Sequence, residues 1–211
     1  MISTKTLVNG RYGQVAGFLI VSLTMVEMFT IPHGYFVLGA IVSTSTMTCV
    51  ALLLKVSKSQ FRWSAWRIGT GIAMAGLLYL VFAAGNYAIK NYSMTGIHPS
   101  NEGSIYGLFA GVPAPLTIGF FVLDAIGFET YFRGNLQQRI FSPRIGVGSV
   151  FLVAMIDALI HFSSLNPLFP ATTFVADMIW GLNYYLTKDL NSTIACHFLW
   201  DMLVFVVFPI H

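Results

Sequence analysis

The chain has 211 residues, of which 56% are hydrophobic and only 9% are charged, whereas ordinary soluble domains carry about 25% charged residues. So few charges could not cover the surface of a soluble domain of this size, and the composition therefore predicts an integral membrane protein. The formal net charge of +3 is too small to indicate a nucleic-acid-binding protein.

Hydrophobic segments, taken in chain order, predict about seven membrane-spanning helices. A spanning helix needs about 20 mostly apolar residues, and the segments that meet this need are 14–31, 34–54, 68–88, 107–138, 147–164, 171–187 and 191–209. Pro113 and Pro115 predict an irregular start to the fourth segment. The polar segment 89–106 is predicted to be an external loop. We therefore expect one all-α transmembrane domain over residues 1–211, with its helices in a bundle around an intramembrane polar cavity.

Basic residues predict the orientation of these helices. With the N-terminus in the cytoplasm, Lys90 is the one basic residue of the outer loops, and nine others fall on the inner side: Lys5, Arg11, Lys55, Lys58, Arg62, Arg67, Arg139, Arg144 and Lys188. Segment 55–67 is rich in basic and aromatic residues, which is typical of a segment that contacts membrane lipids. Basic residues that only fix the orientation of the helices would explain it equally well. The short chain indicates a bacterial cytoplasmic membrane protein.

Polar residues inside the predicted spans are candidates for function, because such groups are costly in a bilayer. Three pairs lie four residues apart and therefore share a helix face; they are Glu129 with Arg133, Asp157 with His161, and His197 with Asp201. Each pair also has a structural explanation, as a buried ion pair or a hydrogen bond between helices. Asp124 and Asp177 are further candidates for contacts between helices.

The order of these residues resembles the CAAX-protease and bacteriocin-processing family of intramembrane proteases, also called the Abi family. The family pattern is Glu-Glu-x-x-x-Arg, then Phe-x-x-x-His, then His-x-x-x-Asn or His-x-x-x-Asp on successive helices. Here the matching runs are Phe128 to Gly134, Asp157 to His161 and His197 to Asp201. The resemblance covers about residues 107–205, the predicted motif-bearing core.

The resemblance implies an intramembrane endopeptidase of the glutamic type, which hydrolyses a peptide bond with an activated water. It implies Glu129, His161, His197 and Asp201 as catalytic residues, with Arg133 in support. Two positions depart from the pattern, since Phe128 stands where the family has its first glutamate, and Asp157 replaces a phenylalanine. Either Asp157 or Asp124, which lies one turn before Phe128, could supply the missing carboxylate.

Substrate and cofactor expectations follow from the same resemblance. It implies a prenylated or leader-bearing peptide or protein as the substrate, and no cofactor is predicted. No HExxH or comparable zinc motif occurs, so no metal is assigned, although two histidines with carboxylates could serve as ligands of a divalent ion.

Two other functions remain open. Phe128 in the position of the base favours a catalytically impaired member that acts as a membrane binding, bacteriocin-immunity or regulatory protein. A transporter would show internal symmetry or paired broken helices, and the sequence shows no clear case of either.

Overall fold

The computed structural model describes residues 10–92 and 105–210, and these form an all-helical bundle. The first three helices are α1 (Arg11–Thr30), α2 (Phe36–Leu53) and α3 (Ala65–Tyr92). Four more carry the motifs: α4 (Ala114–Glu129), α5 (Gly148–His161), α6 (Leu168–Thr187) and α7 (Leu190–Asp201). The expected all-α architecture is therefore confirmed for the described part of the chain.

Five helical stretches are long and apolar enough to cross a membrane: Arg11–Thr30, Phe36–Leu53, Ala65–Asn91, Ala114–Ile145 and Leu190–Val207. The stretch Gly148–Ser164 is apolar but shorter. These stretches identify a polytopic membrane protein. The count of seven crossings stays a prediction, because it also needs α5 and α6 to span.

Two helices change their winding near the polar residues of the motifs. α4 continues as a π-helix over Thr130–Phe141 and ends in a short α-helical turn, Ser142–Ile145, while α7 continues as a π-helix over Met202–Val207. π-Helical segments are rare and are often found at functional sites. In α4 the change falls directly after Glu129, and in α7 directly after Asp201.

The boundaries of α3 and α4 differ from the sequence expectation. α4 begins at Ala114, after Pro113, rather than at residue 107, because proline favours the first turn of a helix over its interior. α3 continues to Tyr92 into the predicted outer loop, whose residues 93–104 lie outside the described part.

The segment between α2 and α3 is a cap on one end of the bundle. It contains a short 3-10 helix, Lys58–Gln60. Trp63 in this segment is 85% exposed. The side chain of Gln60 is buried, donates to the carbonyl of Gly134 and accepts from the hydroxyl of Tyr184 at 2.5 Å. A Cβ atom added at Gly134 would lie 2.8 Å from Cγ1 of Val56, so glycine permits the close approach here, as expected for a small residue.

The packing of α4 against its neighbours determines where the motif residues lie. α4 packs against α2 and α7, while α5 packs against α6. At Gly127 the backbones of α4 and α2 are so close that a Cβ atom would lie 2.6 Å from the carbonyl oxygen of Thr44. This close approach brings the polar face of α4 against α2 and towards the centre of the bundle.

Candidate active site

Five of the predicted polar residues line a cavity of about 550 Å³ inside the bundle. Its walls are mainly apolar, with contributions from methionine and phenylalanine side chains of α1, α2 and α4. The ionisable residues on its wall are Asp124, Asp157, His161, His197 and Asp201. α4, α5 and α7 therefore bring two histidines and three carboxylates to a common space with otherwise mainly apolar walls.

Arg133 is the centre of a buried ion-pair chain behind the cavity wall. Its Nε lies 3.2 Å from Oε2 of Glu129, which is the intrahelical pair that the four-residue spacing predicts. Its Nη2 forms a second ion pair with Oδ1 of Asp177 on α6. All three side chains are fully buried. Separating α4 from α6 would leave these buried charges unpaired, which is strongly destabilising. The ion pairs therefore fix α4 against α6.

His197 is held by contacts from three directions. Its Nδ1 donates to Oε1 of Glu129 at 2.8 Å. The indole of Trp180 on α6 stacks on the imidazole with ring centroids 3.6 Å apart and an interplanar angle of 17°. The ring of Phe128 meets it edge-on, with centroids 5.3 Å apart. The position of the imidazole is therefore determined by α4 and α6 as well as by its own helix.

Two carboxylates face the other nitrogen of His197. Nε2 lies 3.8 Å from Oδ2 of Asp124 and 3.6 Å from Oδ2 of Asp201. Asp124 is oriented by the hydroxyl of Thr44 on α2, which donates to Oδ1 at 2.9 Å. The side chain of Asp124 is 24% exposed, whereas that of Asp201 is 6% exposed. Asp124 is thus the carboxylate of this group that is most open to the cavity.

His161 and Asp157 form a separate group on the α5 wall. Nδ1 of His161 lies 2.9 Å from the backbone oxygen of Asp157 and 3.4 Å from its Oδ1. Phe29 and Phe169 flank the imidazole, with ring centroids 5.4 and 6.2 Å away. Because Nδ1 is directed at Asp157, Nε2 is the nitrogen left for a molecule in the cavity.

Phe128 occupies the space beside His197 and not the membrane-facing side of α4. Its ring stacks on Phe132 at 4.3 Å and meets Trp180 edge-on at 5.9 Å. The guanidinium carbon of Arg133 lies 5.8 Å from the ring centroid. Phe128, which the predicted alignment of the motif places at the first glutamate, is therefore a packed aromatic ring.

The predicted site residues thus form two groups, each of which contributes side chains to the wall of the same cavity. Glu129, Arg133, His197, Asp201 and Asp124 belong to the α4–α7 group, whereas His161 and Asp157 line the α5 wall. Among the described residues, no hydrogen bond or ion pair joins the two groups.

Sequence reasoning did not identify two residues of the site, Thr44 and Trp180. Trp180 follows Asp177 by three positions, so it shares a helix face with the partner of Arg133. That spacing is a signal that could have identified it. Thr44 lies on a distant helix, and no local pattern in the sequence links it to Asp124.

Comparison with known proteins gives one finding. Residues 110–203 match the family model for Rce1-like proteins, described as type II CAAX prenyl endopeptidase Rce1-like. This region begins four residues before α4, ends two residues after α7 and includes all three motifs, so it confirms the resemblance predicted from them. No curated protein and no solved structure gives a significant match.

Proposed function

We propose that this chain, which over residues 110–203 belongs to the Rce1-like CAAX prenyl endopeptidase family, is an intramembrane endopeptidase that cleaves its substrate in the central cavity. The observation that carries the proposal is the convergence of two oriented histidines and three carboxylates on one cavity with apolar walls. Hydrolysis of a peptide bond needs an activated water and a donor for the developing oxyanion, and these groups can supply both.

Glu129 is better suited to positioning than to the activation of water. Its Oε1 accepts from His197 and its Oε2 pairs with Arg133, so both oxygens are engaged. Asp124 has one oxygen held by Thr44, while the other faces the cavity beside His197. We therefore assign the missing carboxylate of the motif to Asp124, which lies one helical turn before Phe128.

The two histidines then take different roles. His161, oriented by Asp157, would share the attacking water with Asp124 and accept its proton. His197 and Asp201 would face the scissile carbonyl, where His197 donates to the oxyanion from Nε2 when it is protonated. The low dielectric of an apolar cavity strengthens such interactions relative to water.

One observation favours a second function. The ring of Phe128, which stands at the position of the first motif glutamate, packs against His197 and Trp180. A catalytically impaired relative that binds a membrane peptide without cutting it, as an immunity or regulatory protein, would retain a cavity of this kind.

The substrate follows from the family and from the cavity. A peptide that reaches an intramembrane cavity with apolar walls would carry a lipid group or an apolar leader, so we propose a prenylated or leader-bearing protein. We further propose a bacterial cytoplasmic membrane location with the N-terminus inside, as the distribution of basic residues indicates.

Cleavage of a fluorogenic farnesylated peptide by the full-length protein in detergent tests the proposal. Wild type is compared with His161→Ala, with Phe128→Glu and with Glu27→Gln, which alters an exposed carboxylate that does not line the cavity. If the chain is a protease, wild type and Glu27→Gln should cleave the peptide. The cleavage rate should fall at least a hundredfold in His161→Ala. Cleavage by Phe128→Glu alone would show that the native chain is impaired, and cleavage by none of the four would count against the protease.

A further inference from the structure

The connection between α2 and α3 presents a surface that the proposed function does not use. Three exposed basic and three exposed aromatic residues form this basic–aromatic surface: Lys55, Lys58, Phe61, Arg62, Trp63 and Trp66. Trp63 is 85% exposed and Trp66 is 58% exposed. Because α2 and α3 are both long and apolar enough to cross a membrane, their connection lies where the membrane meets water.

The positive charges of this surface have no acidic partner within the described part of the chain. None of Lys55, Lys58 and Arg62 takes part in an ion pair there. Asp189 contacts the segment, but its side chain is fully buried, and its Oδ1 accepts from the backbone nitrogens of Arg62 and Asn191. The charges are therefore available to an anionic partner.

The segment that carries these charges is held against the bundle. Gln60 lies buried beneath it, donates to the carbonyl of Gly134 on the α4 continuation and accepts from the hydroxyl of Tyr184 on α6. The backbone nitrogen of Arg62 donates to Asp189 at 2.9 Å. Basic residues that only set the orientation of the helices need no such fixed structure, so the docking favours a binding surface.

Other basic residues lie at the same end of the bundle. Nη1 of Arg139 donates to the carbonyl of Leu54, which directly precedes the surface. Lys188 adjoins Asp189 in the chain, and its Nζ lies 4.1 Å from the ring centroid of Tyr185. The end of α4 and the α6–α7 connection therefore add positive charge beside the basic–aromatic surface.

We propose that the basic–aromatic surface binds the headgroups of anionic phospholipids in the leaflet that this end of the bundle faces. Lys58 and Arg62 attract the negative headgroups, while Trp63 and Trp66 lie at the membrane interface, where such rings are preferred. A second copy of the chain is a poor occupant, since Glu27 is the one exposed carboxylate among the described residues. Lipid binding does not depend on peptide cleavage.

Native mass spectrometry of the full-length protein in detergent measures the binding. Dioleoyl phosphatidylglycerol and dioleoyl phosphatidylcholine are titrated separately, because they share their acyl chains and differ in headgroup charge. Wild type is compared with Lys58→Gln/Arg62→Gln and with the charge-preserving Lys58→Arg/Arg62→Lys. Lys90→Gln is the matched control for loss of charge, because Lys90 is exposed near the other end of α3. Thermal unfolding with each lipid checks the result in solution, since a ligand of the folded state raises the melting temperature.

We expect wild type to bind phosphatidylglycerol at least about tenfold more tightly than phosphatidylcholine, because each basic residue near an anionic surface strengthens the attraction roughly fivefold. Lys58→Gln/Arg62→Gln should weaken phosphatidylglycerol binding by at least about fivefold and leave phosphatidylcholine binding unchanged. Lys58→Arg/Arg62→Lys and Lys90→Gln should both behave as wild type. The substituted side chains are exposed, and gel filtration verifies that the variants are folded.

Equal binding of the two lipids by wild type overturns the proposal. Full retention of the preference in folded Lys58→Gln/Arg62→Gln, or an equal loss in Lys90→Gln, also overturns it. A wild-type dimer that dissociates in Lys58→Gln/Arg62→Gln would identify a second copy as the occupant and would likewise overturn the lipid site. Preference for phosphatidylglycerol in a protein that cleaves no peptide would support the lipid site and count against the proposed function.

Discussion

Glu129 and His197 are joined by a buried hydrogen bond of 2.8 Å, which connects α4 to α7. The second oxygen of Glu129 pairs with Arg133, so both oxygens have a protein partner, and the side chain is fully buried. We therefore propose that Glu129 is a positioning residue that fixes the imidazole. The carboxylate with an oxygen open to the cavity is Asp124.

Arg133 should contribute strongly to stability. In Arg133→Met the carboxylates of Glu129 and Asp177 would remain buried without their cation, which costs about 3–5 kcal/mol. The free energy of unfolding in detergent, from denaturant titration, measures the loss. Arg144→Met is the matched control, because Arg144 is exposed and surface changes are usually within about 0.5 kcal/mol. Equal losses in the two variants would contradict the assigned role of the ion-pair chain.

Thr44 should affect catalysis through Asp124. Thr44→Val keeps the side-chain shape but removes the donor to Oδ1 of Asp124, and a hydrogen bond of this kind contributes about 0.5–1.5 kcal/mol. We expect cleavage of the farnesylated peptide to fall roughly two- to tenfold in kcat, with little change in KM. Thr44→Ser keeps the hydroxyl and should restore the rate. If Thr44→Val and Thr44→Ser behave alike, Thr44 does not orient Asp124.

The sequence predicted the contacts that lie within one helix. Glu129 with Arg133 and Asp157 with His161 follow from the four-residue spacing, because intrahelical geometry is local. Departures from the family pattern also drew attention to Asp124 as a possible replacement carboxylate.

Contacts between helices could not be predicted in the same way. The bonds from Glu129 to His197 and from Thr44 to Asp124 depend on how α4 packs against α7 and α2. Such packing is determined by the close approach of backbones at residues such as Gly127, and a single sequence does not specify which helices meet. The start of α4 at Ala114 likewise depends on whether Pro113 precedes the helix or interrupts it.

Gly127 should be intolerant of a larger side chain. In Gly127→Ala the added methyl would lie 2.6 Å from the carbonyl oxygen of Thr44, so α4 must move away from α2. Overpacking of this kind costs about 1–3 kcal/mol and would also displace Asp124 from Thr44. Gly119→Ala on the same helix meets no atom within 4 Å and is the matched control. Thermal unfolding in detergent compares the two variants, and an equal melting temperature would disprove close packing at Gly127.

The central claim is that the carboxylate of Asp124 activates the reaction in place of the missing glutamate. The most direct measurement is the rate of farnesylated-peptide cleavage by Asp124→Asn, with folding checked by gel filtration and Glu27→Gln as the control. We predict that kcat falls by at least about a hundredfold in Asp124→Asn, within the range for loss of a general base, and is unchanged in Glu27→Gln. A folded Asp124→Asn protein that cleaves the peptide at the wild-type rate would contradict the claim.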